Sequence, residues 1–581
     1  MTDNEIADKR ISRRKFMGTA AAGAAVLGVV AGATSLVPSA SAAVAKQAQP
    51  PSVTTTQTST TTQTPVIASK ELTCDVLVIG SLGWSGLCAS LHAAEIGANV
   101  IGIDKLPADT LWIGGDIPMS GQQVHVGNYS LLEPPSVLLG EINRITAGNY
   151  CTDVVTAHIA NAARAWTWLY DHGITNWTSD PNGLPFAIAP LKTGSGWLNI
   201  KPGGSSDMTK FGGYAAVRQL YSYVPAQKNL TTLYSTTGVK LLQNEFGQVS
   251  GVIAQDYEGR FVINAGAVII CTGTFNTNKE MLVKYVGPHA DEISVYAWGT
   301  PTDFNGTAAP RSGDGSGMRM ALELGADTRS MSYLSFGSVA SYAPTISNDG
   351  PGLVNLLGLS LNTLDAGIIV DRTGARFVDE NLGGAGFGSL MVRNYGSVTA
   401  NFIIDNAIAT QPAIAALLTE ISSNGALVYT ASDIPTLATA AGINPWLATE
   451  VTNYNAAVAN KTNTQQQVPR TGTPTQLSTP PYSAIPFRLS TGPYSMGSLR
   501  INANGNAVNS DGVAIPGLFV AGAAMGGCIS GSDQQWNEGY VGNIACGPIW
   551  GMISAENALA FAVGKASPEA PKAKARAAKV A

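Results

Sequence analysis

Cys74-Asp75-Val76-Leu77-Val78-Ile79 runs straight into Gly80-Ser81-Leu82-Gly83-Trp84-Ser85-Gly86, and this junction decides the fold. The first part is a short apolar, β-branched run of the kind buried on both faces of a parallel sheet. The glycines end it. Leu87-Cys88-Ala89-Ser90-Leu91-His92-Ala93-Ala94-Glu95 then follows with the small residues of a helix, stopped at Gly97, and a second strand, Asn99-Val100-Ile101-Gly102-Ile103, ends at Asp104. Strand, glycine turn, helix, strand and terminal acid in that order predict a βαβ unit that binds a dinucleotide. Backbone N–H groups approach a pyrophosphate at the helix N-terminus, and the acid accepts ribose hydroxyls. Gly80, Gly83 and Gly86 are spaced three and three, where the common fingerprint spaces them two and three, so the first turn carries one inserted residue. The plainer alternative is any tight strand-to-helix turn.

Outward from this unit, 581 residues with 45% hydrophobic and 13% charged content can bury a large core and divide into more than one domain. Net charge is −5, and no Lys/Arg-dense segment is interleaved with aromatics, which argues against a nucleic-acid partner. An acidic substrate would need its own local cations. The six cysteines form neither C-x-x-C nor C-x-x-C-H, so a c-type haem is excluded and no iron–sulfur or zinc pattern is present. Buried structural thiols are the default for them. The five histidines are scattered, and no metal site is expected.

At the N-terminus, Ser12-Arg13-Arg14-Lys15-Phe16-Met17 precedes an apolar run from Gly18 to about Leu36 and then Ala40-Ser41-Ala42. This resembles a twin-arginine export signal over residues 1–42, cleaved after Ala42, with an uncleaved anchor as the alternative. That route carries folded proteins. It implies the twin-arginine translocase as a partner during export and a destination in the periplasm or on the outer face of the cytoplasmic membrane. Residues 43–72 are a Thr/Gln-rich stretch without apolar periodicity, expected as a flexible linker, and 566–581 are expected as a disordered basic tail.

Further motifs fall in a consistent order. Leu111-Trp112-Ile113-Gly114-Gly115-Asp116 with Ser120-Gly121 forms a second glycine element, and Ala267-Val268-Ile269-Ile270-Cys271-Thr272-Gly273-Thr274-Phe275 leads to Asn278-Lys279-Glu280-Met281-Leu282. Ser312-Gly313-Asp314-Gly315 opens a helix; Ile515-Pro516-Gly517-Leu518-Phe519-Val520-Ala521-Gly522 is a late strand; Gly542-Asn543-Ile544 precedes a last helix. From about Cys74 to Phe561 the chain resembles the FAD-binding family of fumarate reductase and succinate dehydrogenase flavoproteins, whose relatives include 3-ketosteroid dehydrogenases. The resemblance implies an α/β fold, a Rossmann-like FAD-binding domain in two parts (73–330 and 486–565) split by an inserted α+β capping domain (331–485). It implies non-covalent FAD held by Gly80, Gly83, Trp84, Ser85, Gly86, Asp104, Lys105, Gly115, Asp116, Ser120, Gly121 and Val239. Thr272, Gly273, Asp314, Gly522, Ala523, Gly542, Asn543 and Ile544 complete that set.

Three departures from the family pattern bear on the substrate. The cap arginine expected soon after Arg376-Phe377-Val378-Asp379-Glu380 is replaced by Asn381-Leu382-Gly383-Gly384-Ala385. The substrate histidine stretch reads Pro493-Tyr494-Ser495-Met496-Gly497-Ser498, and the late arginine stretch reads Asn537-Glu538-Gly539-Tyr540-Val541-Gly542-Asn543. A dicarboxylate clamp is therefore missing, and a neutral, ring-containing small molecule is the expected substrate. Tyr494 and Tyr540 are the candidate proton-handling residues, with Arg393 and Arg376 weaker ones because a surface or structural Arg is the common case. Arg500 is expected to face out from a strand. The activity implied is transfer of hydride across a carbon–carbon bond beside a carbonyl. A separate electron-transfer partner is needed, either a membrane cytochrome or a quinone-linked protein. A ketosteroid dehydrogenase-like enzyme, an oxygen-using flavin oxidase and a flavin-binding protein without catalysis are the alternatives.

Overall fold

The computed structural model describes residues 67–107, 126–127, 135–146, 148–174, 177–178, 197–200, 212–292, 313–332, 334–335, 338–341, 366–382, 399–423, 425–490, 494–495, 497–530 and 546–564. The expected export signal and basic tail lie outside these residues.

The chain opens a main sheet with β1 (Ile67–Ile79), helix α1 (Trp84–Glu95) and β2 (Val100–Ile103). After α2 (Thr152–Asp171) the sheet gains β3 (Leu230–Leu233), β4 (Thr237–Gln243), β5 (Val249–Asp256) and β6 (Gly259–Ile270), followed by α3 (Ser316–Leu322). A second sheet then takes β7 (Ser338–Ser341), β8 (Ile368–Val370), β9 (Thr399–Asp405), β10 (Tyr429–Ala431) and, after α4 (Trp446–Ala459), β11 (Tyr482–Ser490). The chain returns to the main sheet with β12 (Asn506–Val508) and β13 (Ala514–Val520) and ends in α5 (Cys546–Ala562).

The main sheet has the order β12-β13-β6-β1-β2-β3, with the hairpin β4-β5 pairing onto β6. Its inner pairs, β13 with β6, β6 with β1, β1 with β2 and β2 with β3, are all parallel. Val76, Leu77 and Val78 are fully buried, as the near-continuous apolar run requires when both faces are covered. Helix α1 is buried from Trp84 to Ala94 because its small residues admit α5 on top. A Cβ at Gly551 would lie 2.9 Å from the Cys88 Cβ, and one at Gly547 would lie 2.3 Å from the Trp84 ring.

Two boundaries differ from expectation. Ordered sheet begins at Ile67, inside the stretch read as linker, because β1 continues past the apolar run along β6. Polar contacts hold this extension: Lys70 pairs with Asp256 at 3.2 Å and lies over the Phe261 ring, and Asn264 donates to Glu71. The second sheet, ordered β7-β11-β9-β8 with β10 on β11, is antiparallel throughout. Its strand β11 runs across the expected limit at Ile485 to Ser490, since pairing with β7 and β9 continues through Arg488.

Candidate functional site

Strands β1, β2, β6 and β13 end in register. Ile79 pairs with Ile103 on one side and Ile270 on the other, and Val520 pairs with Ile270, so the chain leaves the sheet repeatedly at one edge. Ligands of open parallel sheets bind at such an edge. The cleft there is lined by Gly80, Gly83, Asp104, Lys105, Thr272, Gly273 and Asp314. Gly313 and Ser316, from the stretch around Asp314, line it as well, as do Thr236, Thr237 and Gly238, which were not singled out from the sequence. The signal for them is the Ser235-Thr236-Thr237-Gly238 run, which follows a strand that ends level with β2.

The three glycines divide the work of the turn. Gly80 has φ +88°, and a Cβ there would stand 2.7 Å from the Cys271 carbonyl oxygen. The amides of Gly80 and Ser81 both donate to the Ile103 carbonyl, at 2.9 and 3.1 Å, which carries the chain over the end of β2. Gly83 opens α1 without a side-chain cap, leaving that helix end to an anion. A Cβ at Gly86 would fall 1.9 Å from the Gly80 oxygen, so only glycine lets the helix lie on the turn.

Asp104 is 7% exposed. Its two oxygens accept from the backbone amides of Leu82 and Leu106, each at 3.0 Å. Burial raises its carboxyl above the usual range, against the pull of those amides and of Lys105. The acid thereby staples the lengthened turn to the end of β2, and each oxygen keeps a lone pair for a further donor. Lys105 Nζ meets Asp314 Oδ2 at 2.9 Å across the cleft, and Asp314 also accepts from the Ser316 amide at the start of α3. Burial pushes the Asp314 carboxyl up, but Lys105 and Ser316 outweigh it and hold it below the usual range.

Thr272 Oγ1 is buried without a hydrogen-bond partner among the described residues, 2.2 Å from where a Cβ at Gly317 would sit. Val239 is the extra residue of a bulge, because the β4–β5 register jumps from Gly238 to Lys240; its peptide groups stand outside the ladder.

Trp84, Ser85 and Gly86 pack behind the cleft wall. Ser85 bonds the Cys271 thiol, and a Cβ at Gly522, where φ is +71°, would lie 2.4 Å from Ser85 Oγ. The late segment Gly522-Ala523 is thus seated on the first turn of α1. Backbone pairing of Ser335 with Tyr494 places that tyrosine beside Leu334–Ser335. Tyr540, Arg393, Gly115, Asp116, Ser120, Gly121, Gly542, Asn543 and Ile544 lie outside the described residues.

Arg376 is a structural ion in this fold. It is 6% exposed, donates to both Glu380 oxygens at 3.0 and 2.7 Å, and lies over the Tyr454 ring. Arg470 meets the same carboxylate at 3.3 Å. Arg500 pairs with Asp327 at 3.1 Å and is 40% exposed.

Residues 75–535 match the family model described as FAD binding domain. The chain belongs to this family. It is 23% identical over 494 residues to fumarate reductase (cytochrome) of Shewanella frigidimarina, covering 83% of this chain and 77% of that one. It is 23% identical over 519 residues to digoxin reductase of Eggerthella lenta, covering 84% of this chain and 87% of that one. The fold matches 3-ketosteroid-Δ4-(5α)-dehydrogenase from Rhodococcus jostii RHA1, solved with 4-androstene-3,17-dione, with TM-score 0.61, 20% identity, and coverage of 85% of this chain and 99% of that one. This member is accordingly an FAD-dependent oxidoreductase. Its cleft suits FAD on three counts: the Gly80 cradle that a Cβ would fill, the uncapped start of α1 and the unpaired Thr272 hydroxyl.

Proposed function

We propose that this oxidoreductase is exported, binds FAD non-covalently and transfers hydride across a carbon–carbon bond next to a carbonyl in a neutral, ring-containing substrate. The observation that carries the substrate class is the replacement of the dicarboxylate clamp by Asn381-Leu382-Gly383, Pro493-Tyr494-Ser495 and Glu538-Gly539-Tyr540. An anion deprived of charge-assisted hydrogen bonds is poorly held. The arginines Arg376 and Arg470 supply no substitute, since both are committed to Glu380. The names of two similar proteins, digoxin reductase and a 3-ketosteroid dehydrogenase, support a ring compound.

In this reading residues 331–485 cap the FAD domain, and bound FAD supplies the hydride donor or acceptor. Tyr494 and Tyr540 polarise the substrate carbonyl or exchange a proton with the carbon neighbouring the one that exchanges hydride, and Arg393 orients the polar end. A membrane cytochrome or quinone-linked protein exchanges electrons with the enzyme, on the periplasmic side reached through the twin-arginine translocase.

Anaerobic reoxidation of the dithionite-reduced enzyme by a panel of cyclic enones, enoates, steroids and fumarate tests this. Cyclic enones or steroids are expected to restore the oxidised-flavin absorbance fastest, with fumarate near the rate without acceptor. Preferential turnover of fumarate or another dicarboxylate would overturn the proposal.

A further inference from the structure

Five of the six cysteines are buried, and burial pushes the thiols of Cys74, Cys88, Cys271 and Cys546 up, Cys74 and Cys271 to about 12. The other two, Cys151 and Cys528, are a pair. Cys151 caps the start of α2, and Cys528 lies in the short helix Gly527–Ser530 that follows β13 and the Gly522 turn. The Cys151 amide donates to the Cys528 carbonyl at 2.8 Å. Fixed covalent lengths on either side of that bond limit the Cα separation to at most about 6.7 Å. Disulfides span about 4.4–6.8 Å.

The Cys528 thiol donates to the Leu499 carbonyl at 3.6 Å, and the two thiols lie close enough that each acts on the other's ionisation. Cys528 is wholly buried, whereas Cys151 opens on a cavity of about 270 Å³ that Asp153, Arg329 and Arg500 also line. The Cys528 hydrogen bond, then Arg329 and Arg500, bring the Cys151 thiol down to about 7 against burial and Asp153. A half-buried sulfur facing two cations with a buried thiol behind it has the layout of an attacking and a resolving cysteine.

We propose that Cys151 and Cys528 are a dithiol pair that closes into a disulfide on meeting a small-molecule disulfide, Cys151 attacking and Cys528 resolving. Cys151 thiolate attacks one sulfur of the small disulfide, whose S–S bond breaks and releases one thiolate. Cys528 then gives up its proton and attacks the Cys151 sulfur, expelling the second small thiol. The protein loses two electrons and two protons, and the small disulfide is reduced to two thiols. The new bond ties the start of α2 to the segment after β13, across the whole intervening second sheet. This inference is independent of the substrate reading.

The test uses reduced full-length holoprotein, freed of reductant, treated with oxidised glutathione, then alkylated and digested for mass spectrometry. The expected result is a peptide linked through Cys151 and Cys528, with the other four cysteines alkylated. Cys528→Ser should accumulate glutathione on Cys151, and Cys151→Ser should show neither adduct nor link. Without oxidant, iodoacetamide alkylation of Cys151 should rise with a midpoint below that of an ordinary thiol, shifted upward in Cys528→Ala. Full alkylation of Cys151 in oxidant-treated wild type, with no linked peptide, would overturn the pairing. A lasting glutathione adduct in wild type would overturn the resolving role of Cys528.

Discussion

At the scale of single residues, Gly80, like Gly522, carries two constraints at once. Its φ of +88° is strained for any L side chain, and a Cβ would press on the Cys271 carbonyl at 2.7 Å. Gly80→Ala is expected to cost on the order of 1–3 kcal/mol of stability and to displace the turn proposed to hold the cofactor's phosphates. The purified variant should carry at least several-fold less flavin per protein, read from its visible absorbance, while wild type is yellow. Retention of full flavin content would remove Gly80 from the cradle. Here the sequence was legible because glycine has one physical meaning at a strand-to-helix turn. The altered spacing was legible too, and the Leu82 amide of that lengthened turn is the one that reaches Asp104.

At the scale of elements, periodicity exposed β1, α1 and β2 but gave no hint of what Arg376 does. An arginine in a cap motif reads as a surface or structural residue by default and as a substrate ligand by exception, and its partners decide between them. Those partners are Glu380, four residues on, and the Val468 carbonyl, brought in by the chain after α4. Only the folded second sheet brings Arg376, Glu380 and Arg470 together. Arg376→Met is therefore expected to destabilise the protein by about 1–3 kcal/mol, because it removes two hydrogen bonds from a buried carboxylate that Arg470 still pairs. Urea unfolding should show the loss, and Arg376→Met with Glu380→Leu should recover part of it. A change in substrate KM with an unchanged unfolding midpoint would instead return Arg376 to the active site. The small-residue face of α1 is another element-level feature the sequence displayed without its partner: Cys88 and Trp84 meet Gly551 and Gly547 of α5 from the far end of the chain.

For the whole molecule, the interrupted main sheet was implied by the family resemblance, which places the late strand Ile515–Val520 in the sheet begun at Cys74, and that strand pairs with β6 there. The polar extension Ile67–Leu72 was illegible because it is held by long-range ion and amide contacts rather than by apolar alternation. Equally hidden were the histidines, whose effect on stability depends on opposite environments.

His158 is completely buried and neutral, accepting from the Trp550 ring N–H at 3.3 Å, and burial lowers it from 6.5 to about 4. Between those values the unfolded chain binds a proton that the folded one refuses, so stability falls as pH falls through that window, by about 3 kcal/mol in full. His92 and His172 go the other way. Burial opposes their charge, but Glu556 and Glu95 beside His92, and Glu95 beside His172, raise both. Their contribution is complete below the ordinary histidine value and is lost as pH rises through the raised folded values. Glu95 itself, despite burial, is held at about 2 by His172, His92 and Trp168, so it stays charged throughout the His158 window. Urea unfolding across pH about 4 to 8 should therefore trace a dome around the unperturbed histidine pKa. His158→Gln, which still offers Trp550 an acceptor, should flatten the acid side alone, and Glu95→Gln should flatten the alkaline side. An acid side unchanged in His158→Gln would show that His158 takes up its proton without leaving the fold.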